Sequence, residues 1–238
     1  MASITDIRGI IFDYGGTIDS RGVHWSEVIW RGYEQSGVQV DKSVFRDAYV
    51  YAERLLAKQP LVKPEYTFYD LMLVKVRHEL LWLCEEGYFH ENEVEATAAA
   101  IAKYCDDSAR ACAEEARPTL ETLVARYPLV MVSNFYGNLQ SVLAEYDLLK
   151  YFNAVVESAV VGVRKPDSAI FQLGVDALGM SPGEVVVVGD SYSKDIAPAM
   201  SLGCKTIWLK GKGWGEEPEN DYDRCVIYKL DEMLKEMA

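Results

Sequence analysis

The sequence predicts an α/β protein built on a parallel sheet, with a block of helices inserted into it. Short apolar runs typical of buried strands lie at residues 8–13, 129–134, 154–161, 184–190, 205–210 and 225–228. Helical segments at 167–179 and 193–202 separate the later runs, an alternation typical of parallel sheets with helices on both faces. The first run has no other strand near it in the sequence. We therefore expect it to join the later strands in one doubly wound, Rossmann-like sheet.

The segment between the first two strands is predicted to be entirely helical. From residue 24 to residue 116 apolar residues recur at spacings of three and four, and glycines and prolines separate the helical stretches. We assign residues 1–18 and 117–238 to the α/β core and residues 19–116 to an all-helical cap. The cap should lie over the carboxyl ends of the strands, where open α/β sheets bind their ligands.

The charge balance limits the partners of the chain. Lys and Arg total 24 against 37 Asp and Glu, which is a formal net charge of -13 for 238 residues. This excess of negative charge repels nucleic-acid backbones and anionic membrane surfaces, so we expect neither as a partner. The segment EEPENDYD at 216–223 is predicted to be a solvated acidic loop.

Cysteine use and the first residues favour a cytoplasmic setting. The five cysteines are scattered without a CxxC pair, which argues against a disulfide framework and against structural zinc. The apolar run before Asp13 has only four residues, too few for the core of a signal peptide or for a membrane span. We expect a cytoplasmic monomer or homodimer.

Polar residues gather where the predicted strands end. They are Asp13, Ser133, Asn134, Lys165, Asp190 and, five residues further on, Asp195. Each alone is commonly a turn former or a helix cap. Together they match the needs of phosphoryl transfer, in which carboxylates hold Mg²⁺, a lysine and a hydroxyl bind phosphate oxygens, and one carboxylate attacks phosphorus. Asp13 is the natural nucleophile.

Four motifs, spread over almost the whole chain, resemble those of the haloacid dehalogenase-like hydrolases, most of which are Mg²⁺-dependent phosphatases. The nucleophile motif appears as DYGGT, and a strand that ends in Ser or Thr appears as VMVSN. The lysine motif appears as VRKPDSAIF, and the acidic motif as VVVVGDSYSKDIAPAMSLG. The resemblance implies a small phosphorylated metabolite as the substrate and a helical cap that closes over the site.

The resemblance also implies a role for each residue. Asp13 would be the nucleophile, Lys165 a catalytic group that clamps phosphate charge, and Ser133 and Asn134 the phosphate cradle. The metal ligands would be Asp13, Asp190, Asp195 and the backbone carbonyl of Gly15.

The nucleophile motif departs from the family at one position. Phosphatases of this family usually have a second Asp two residues after the nucleophile, where it protonates the leaving alcohol and then activates water. Here that residue is Gly15. General acid-base help is typically worth about 10² to 10⁴ in rate, so an explanation is needed. One explanation is a substrate with a good leaving group, such as an acyl phosphate. Another is an acid borrowed from Asp19 or His24.

Two further explanations change the class of activity. Branches of the family that cleave carbon-phosphorus or carbon-halogen bonds also lack this Asp. The phosphonate-cleaving branch uses a Schiff-base lysine in its cap, for which Lys42, Lys58 and Lys63 are candidates. The last explanation is a noncatalytic protein that binds a phosphoryl ligand or a protein partner. We predict a Mg²⁺-dependent phosphohydrolase that works through an aspartyl-phosphate, with the noncatalytic protein as the alternative and phosphonate cleavage after it.

Overall fold

The computed structural model describes residues 4, 6–213 and 225–237, and the predicted acidic loop at 216–223 lies outside them. In these residues six strands form one parallel sheet in the order β3-β2-β1-β4-β5-β6. The strands are β1 (Gly9–Phe12), β2 (Leu129–Ser133), β3 (Ala154–Glu157), β4 (Val185–Gly189), β5 (Lys205–Leu209) and β6 (Cys225–Ile227). The predicted α/β fold with a doubly wound parallel sheet is confirmed.

The first strand lies in the middle of the sheet, between β2 and β4. Ile10 pairs with Leu129 on one side and with Val186 on the other. All four residues of β1 are buried, as expected of a strand whose two faces are both covered. This central position brings the end of β1 next to the ends of β2 and β4.

Short helices cover the sheet. They are α5 (Leu139–Glu145), α6 (Ser158–Val161), α7 (Ala169–Leu178), α8 (Ala197–Leu202) and α9 (Met233–Glu236). The strand predicted at 154–161 is too long, because β3 ends at Glu157 and a helical turn follows. The physical reason is the loss of a partner. Ser133, the last residue of β2, pairs with Glu157, so no hydrogen-bonding strand continues beside the chain.

Four longer helices precede the second strand. They are α1 (Trp25–Gln35), α2 (Lys42–Lys58), α3 (Phe68–Glu85) and α4 (Val94–Val124). Thr67 and Asp70 form a capping box that starts α3. Helix α4 continues through Pro118, so the boundary predicted between residues 116 and 117 falls inside a helix. The division into core and cap stays a prediction. Within the described residues, every helix is too short or too polar to cross a membrane.

A buried carboxylate lies between the helices that precede β2. Glu79 on α3 is fully buried, and its Oε2 accepts a hydrogen bond of 3.1 Å from the Tyr33 hydroxyl of α1. Glu79 Oε1 has no hydrogen-bond partner among the described residues. Burial raises the pKa of Glu79 from 4.5 to about 7, against the opposing effect of the Lys75 ammonium. Between pH 4.5 and about 7 the folded protein therefore holds a proton on Glu79 that the unfolded chain releases.

This linkage predicts a pH-dependent effect of Glu79→Gln. Because the pKa of Glu79 is raised on folding, the contribution of this residue to wild-type stability falls as pH rises from 4.5 to 7. The uncharged amide of the variant has no such dependence. The free energy of unfolding of the variant minus that of the wild type should therefore increase by up to about 3 kcal/mol between pH 4.5 and pH 8. Urea unfolding at both pH values measures it.

The matched control for that variant is Glu85→Gln, on an exposed position of the same helix. Its difference from the wild type should stay nearly constant over the same pH range. A pH-independent difference for Glu79→Gln would contradict the assignment of a shifted carboxyl at this position.

Candidate active site

The carboxyl edge of the sheet brings the predicted residues together. Asp13 follows β1, Ser133 ends β2 and Asp190 follows β4, so these three come from adjacent strands. Lys165 lies in the loop between α6 and α7, and Asp195 lies in a π-helical turn, Tyr192–Ile196. All of them line one cavity of 880 Å³ together with Gly15 and Asn134.

Lys165 links two of the acids. Its Nζ lies 2.6 Å from Asp13 Oδ1 and 2.6 Å from Asp195 Oδ1, and only 3% of the residue is exposed. Burial by itself would lower the pKa of Lys165, but the two carboxylates outweigh burial and raise it. The Ser133 hydroxyl donates to the same Asp13 oxygen at 2.9 Å. A protonated amine and a hydroxyl therefore converge on one oxygen of Asp13.

The three acids form a compact set of hard oxygen donors. Oxygens of Asp13, Asp190 and Asp195 lie within 4.8 Å of one another. Burial raises the pKa of Asp195 to about 6, and burial together with the charges of Asp195 and Asp13 raises that of Asp190. Lys165 compensates only one of the three negative charges. Carboxylate oxygens with excess negative charge are the donors that a divalent cation such as Mg²⁺ prefers, so the residues fit such an ion.

Asn134 has a defined position beside Lys165. Its Nδ2 donates to the Lys165 carbonyl at 3.1 Å, and the Lys165 amide donates to Asn134 Oδ1 at 2.9 Å. These paired hydrogen bonds fix the loop that carries the lysine. The predicted contact of Asn134 with phosphate stays a prediction.

Asp19 lies beneath the loop that follows Asp13 and contacts its backbone. The residue is fully buried and, among the described residues, is not one of those that line the cavity. Its Oδ1 accepts a hydrogen bond of 2.8 Å from the Gly16 amide, and its Oδ2 accepts one of 2.9 Å from Trp25 Nε1. Burial raises the pKa of Asp19 to about 7. These contacts use both carboxylate oxygens to hold the loop after Asp13.

His24 lines the cavity but is a poor proton donor. Its Nδ1 accepts a hydrogen bond of 3.2 Å from the Ser26 amide at the start of α1. The neutral ring therefore carries its proton on Nε2. Burial, helped by the charges of Lys194 and Lys75, lowers the pKa of His24 to about 4. The ring is uncharged at neutral pH and is a poor general acid.

Sequence reasoning missed a second cluster of polar residues in the wall of the cavity. Glu53 of α2, Lys75 of α3 and Tyr136, which follows β2, all line it. A signal for Lys75 exists in the sequence, because it falls on the same helical face as the apolar residues Leu71 and Met72. A charge on an apolar face indicates a buried partner.

The lysines considered from the sequence for a Schiff base lie elsewhere. Among the described residues that line the cavity, none is Lys42, Lys58 or Lys63. Lys42 instead forms an ion pair of 2.7 Å with Glu27.

Two neighbouring glycines differ in the space around them. Gly16 has a φ of +98°, and a Cβ built on it would lie 2.3 Å from the carboxylate of Asp190. A Cβ on Gly15 would meet no heavy atom of the described residues within 4 Å. Only Gly16 is therefore required by the backbone and by the close approach of Asp190.

This contrast predicts opposite effects of Gly16→Ala and Gly15→Ala. The first substitution should lower the melting temperature by several degrees, because it strains a positive φ and displaces Asp190. The second should leave the melting temperature within about one degree of the wild-type value. Differential scanning calorimetry on both variants makes the comparison, and equal losses would contradict the geometry of the loop.

Comparison with known proteins gives relatives of named activity. The chain is 36% identical over 104 residues to haloacid dehalogenase-like hydrolase domain-containing protein 3 of Danio rerio. It is 32% identical over 99 residues to a phosphoserine phosphatase of Thermus thermophilus. These alignments cover 43% and 41% of this chain, and the chain spans 43% and 40% of the length of the two relatives.

Solved structures share the fold over nearly the whole chain. The magnesium-bound HAD-hydrolase YfnB of Bacillus subtilis superposes with a TM-score of 0.62 at 18% identity, covering 96% of this chain and 97% of that one. A dehalogenase in an intermediate complex superposes with a TM-score of 0.67 at 19% identity, covering 99% of each chain. Residues 7–203 match the family described as haloacid dehalogenase-like hydrolase. The chain therefore belongs to the haloacid dehalogenase-like hydrolases.

Proposed function

We propose that the protein is a Mg²⁺-dependent phosphohydrolase that acts on a small phosphorylated metabolite through an aspartyl-phosphate on Asp13. The observation that carries this proposal is the buried lysine between two acids, with Lys165 Nζ 2.6 Å from both Asp13 and Asp195. The phosphoserine phosphatase among the relatives supports the same class of reaction. The fold is also that of dehalogenases, so the choice between the two rests on the site.

The residues have complementary roles in such a reaction. An oxygen of Asp13 forms a bond to phosphorus, and the bond from phosphorus to the leaving oxygen breaks. Ser133 and Lys165, which now donate to Asp13 Oδ1, are close enough to donate to phosphoryl oxygens beside it. Water then cleaves the aspartyl-phosphate to release phosphate and restore the carboxylate.

We assign the metal ligands to Asp13, Asp190, Asp195 and the Gly15 carbonyl. Mg²⁺ bound there would neutralise phosphate charge and align the phosphoryl group. Asp13 would then be both ligand and nucleophile. Retention of Asp190 and Asp195 favours phosphoryl transfer over dehalogenation, because the dehalogenating branch of the family needs no metal.

The absence of an acid at Gly15 limits the leaving group. Asp19 is not among the described residues that line the cavity, and His24 is uncharged at neutral pH, so we assign neither to the role of the missing side chain. Substrates that leave without protonation, such as acyl phosphates, are therefore favoured over simple alkyl phosphates.

Phosphonate cleavage through a Schiff base has less support. It needs a neutral amine, and the one cap lysine that lines the cavity among the described residues, Lys75, is paired with Glu53. Burial would lower the pKa of Lys75, but the carboxylate of Glu53 outweighs burial and raises it. The noncatalytic alternative remains, and measurements of phosphate release separate it from the enzyme.

Asp13→Asn should abolish phosphate release. The amide keeps the size of the side chain but is not a nucleophile, so turnover should fall by at least 10³. The assay measures phosphate released from acetyl phosphate and p-nitrophenyl phosphate with and without Mg²⁺. Removal of Mg²⁺ by EDTA should abolish wild-type turnover. If the wild type releases no phosphate from either compound, the noncatalytic alternative is favoured.

Gly15→Asp should restore the missing acid. A Cβ at this position would meet no heavy atom of the described residues within 4 Å, so the backbone accepts a side chain there. Turnover of alkyl phosphates should increase at least tenfold relative to turnover of acetyl phosphate, because only the alkyl leaving group needs a proton. Gly15→Ala, which fills the same space without an acid, is the control. An equal gain for both variants would show that the carboxyl is not responsible.

A further inference from the structure

The cavity extends well beyond the space that a phosphoryl group needs. Its 880 Å³ lies within the range of about 300 to 1,000 Å³ that holds whole small-molecule ligands. The phosphate end is lined by Asp13, Lys165 and Asp190, whereas residues of α2 and α3 line another part of the wall. A leaving group attached to phosphate at Asp13 would therefore extend toward these helices.

The wall on that side contains an ion pair between α2 and α3, and a tyrosine from a third element adds a hydrogen bond to it. We call Glu53, Lys75 and Tyr136 the cap cluster. Lys75 Nζ forms a hydrogen bond with Glu53 Oε1, and the Tyr136 hydroxyl donates to the same oxygen at 2.7 Å. The two donors approach one carboxylate oxygen from α3 and from the loop after β2.

The ammonium of Lys75 is fully engaged within the protein. Besides Glu53, it contacts the Tyr136 oxygen at 3.5 Å and lies 4.1 Å from the ring centroid of Tyr49. Only 1% of the Lys75 side chain is exposed. Lys75 therefore stabilises the charge of Glu53 and has little capacity left to bind a ligand anion.

The second oxygen of Glu53 is in a different situation. Both contacts of the cap cluster use Oε1, and among the described residues no hydrogen bond to Oε2 is found. The Glu53 side chain is 34% exposed and lines the cavity. Burial would raise the pKa of Glu53, but Lys75, with help from the Tyr136 hydrogen bond and the charge of Lys194, outweighs burial and lowers it, so the carboxylate is ionised at neutral pH. The cavity wall thus carries an ionised carboxylate with one oxygen that the described residues do not engage.

We propose that Glu53 is a specificity-determining residue whose Oε2 accepts a hydrogen bond from an ammonium or hydroxyl group carried by the leaving group. The substrate class is then phosphorylated compounds, acyl phosphates included, whose leaving group ends in an ammonium or hydroxyl group rather than in a carboxylate. A ligand carboxylate or second phosphate at this point would face the negative charge of Glu53. Hydrogen bonds to charged groups are stronger than neutral ones, so the preference should be large. This inference rests on the proposed phosphohydrolase function.

The rim of the cavity contains exposed cations that act differently. Arg54, Arg164 and Lys194 line it and are solvent-exposed. They attract anionic phosphate esters in general, and solvent screens their charges. Glu53 therefore discriminates between the chemical groups at the far end of the leaving group. Preferential binding of anionic end groups would assign selection to the rim cations and overturn the proposal.

The test measures binding rather than turnover, so that it does not depend on the missing acid. The ligands are phosphate monoesters of unbranched alcohols of two to six carbons that end in ammonium, hydroxyl, carboxylate or methyl. Titration calorimetry with Mg²⁺ gives their dissociation constants. At the best chain length the ammonium and hydroxyl esters should bind the wild type about tenfold more tightly than the carboxylate and methyl esters.

Three variants assign the preference to Glu53. Glu53→Gln should reduce the advantage of the ammonium ester to below threefold. The double variant Glu53→Gln with Lys75→Met removes both charges of the pair, so it tests the same point without leaving a buried lysine unpaired. Arg54→Gln, one residue away at the rim, should leave the order of the four end groups unchanged.

The outcomes separate this inference from the function on which it rests. If inorganic phosphate binds the wild type but the end groups do not differ, or if Glu53→Gln and the double variant keep the wild-type order, the inference is wrong and the phosphate site stands. If neither inorganic phosphate nor any ester binds, the proposed function fails and the inference fails with it.

Discussion

The arrangement of the site depends on one buried lysine between two carboxylates. Lys165 is almost inaccessible to solvent and so are Asp13 and Asp195, and charges removed from water in this way are costly unless they are paired and hydrogen-bonded. The pairing requires the loop after α6 to reach the ends of β1 and β4. Asn134 holds that loop through two hydrogen bonds to the backbone of Lys165. The parallel sheet provides the common edge at which these elements meet.

The connection between the sheet and the helices that precede β2 is equally specific. The Asp19 carboxylate joins the Gly16 amide, beside the nucleophile, to the indole of Trp25 at the start of α1. Two residues further along α1, Glu27 forms an ion pair of 2.5 Å with Lys212, which follows β5. These contacts join the start of α1 to the loop that carries Asp13 and to the loop after β5. Both oxygens of the Asp19 carboxylate take part in this junction.

The two ends of the cavity use charge in opposite ways. At the sheet, three acids face one lysine, so the surplus is negative and suits a cation that would bridge to phosphate. Between α2 and α3, one lysine and one glutamate balance, and the tyrosines around them provide a hydroxyl and an aromatic face. The first arrangement suits the chemistry of phosphate. The second suits discrimination between leaving groups, since a balanced pair adds no general attraction for anions.

Much of this molecule is determined by local sequence. The apolar runs locate the six strands to within a residue or two, except where β3 ends at Glu157, and residues such as Asp13 and Asp190 follow their strands as the pattern predicts. Strand period, burial and turn chemistry are properties of neighbouring residues, so they can be read from the chain.

Only the tertiary structure decided the partners of the buried charges. Glu53 and Lys75 are 22 residues apart and Glu53 and Tyr136 are 83 apart, and their contact depends on how α2, α3 and the loop after β2 pack. The same holds for Asp19 and His24, whose hydrogen bonds to Trp25 and to the Ser26 amide depend on how the start of α1 packs. Long-range packing sets which side chains meet. A side chain's pKa and its free hydrogen-bonding atoms therefore depend on neighbours that the sequence does not place beside it.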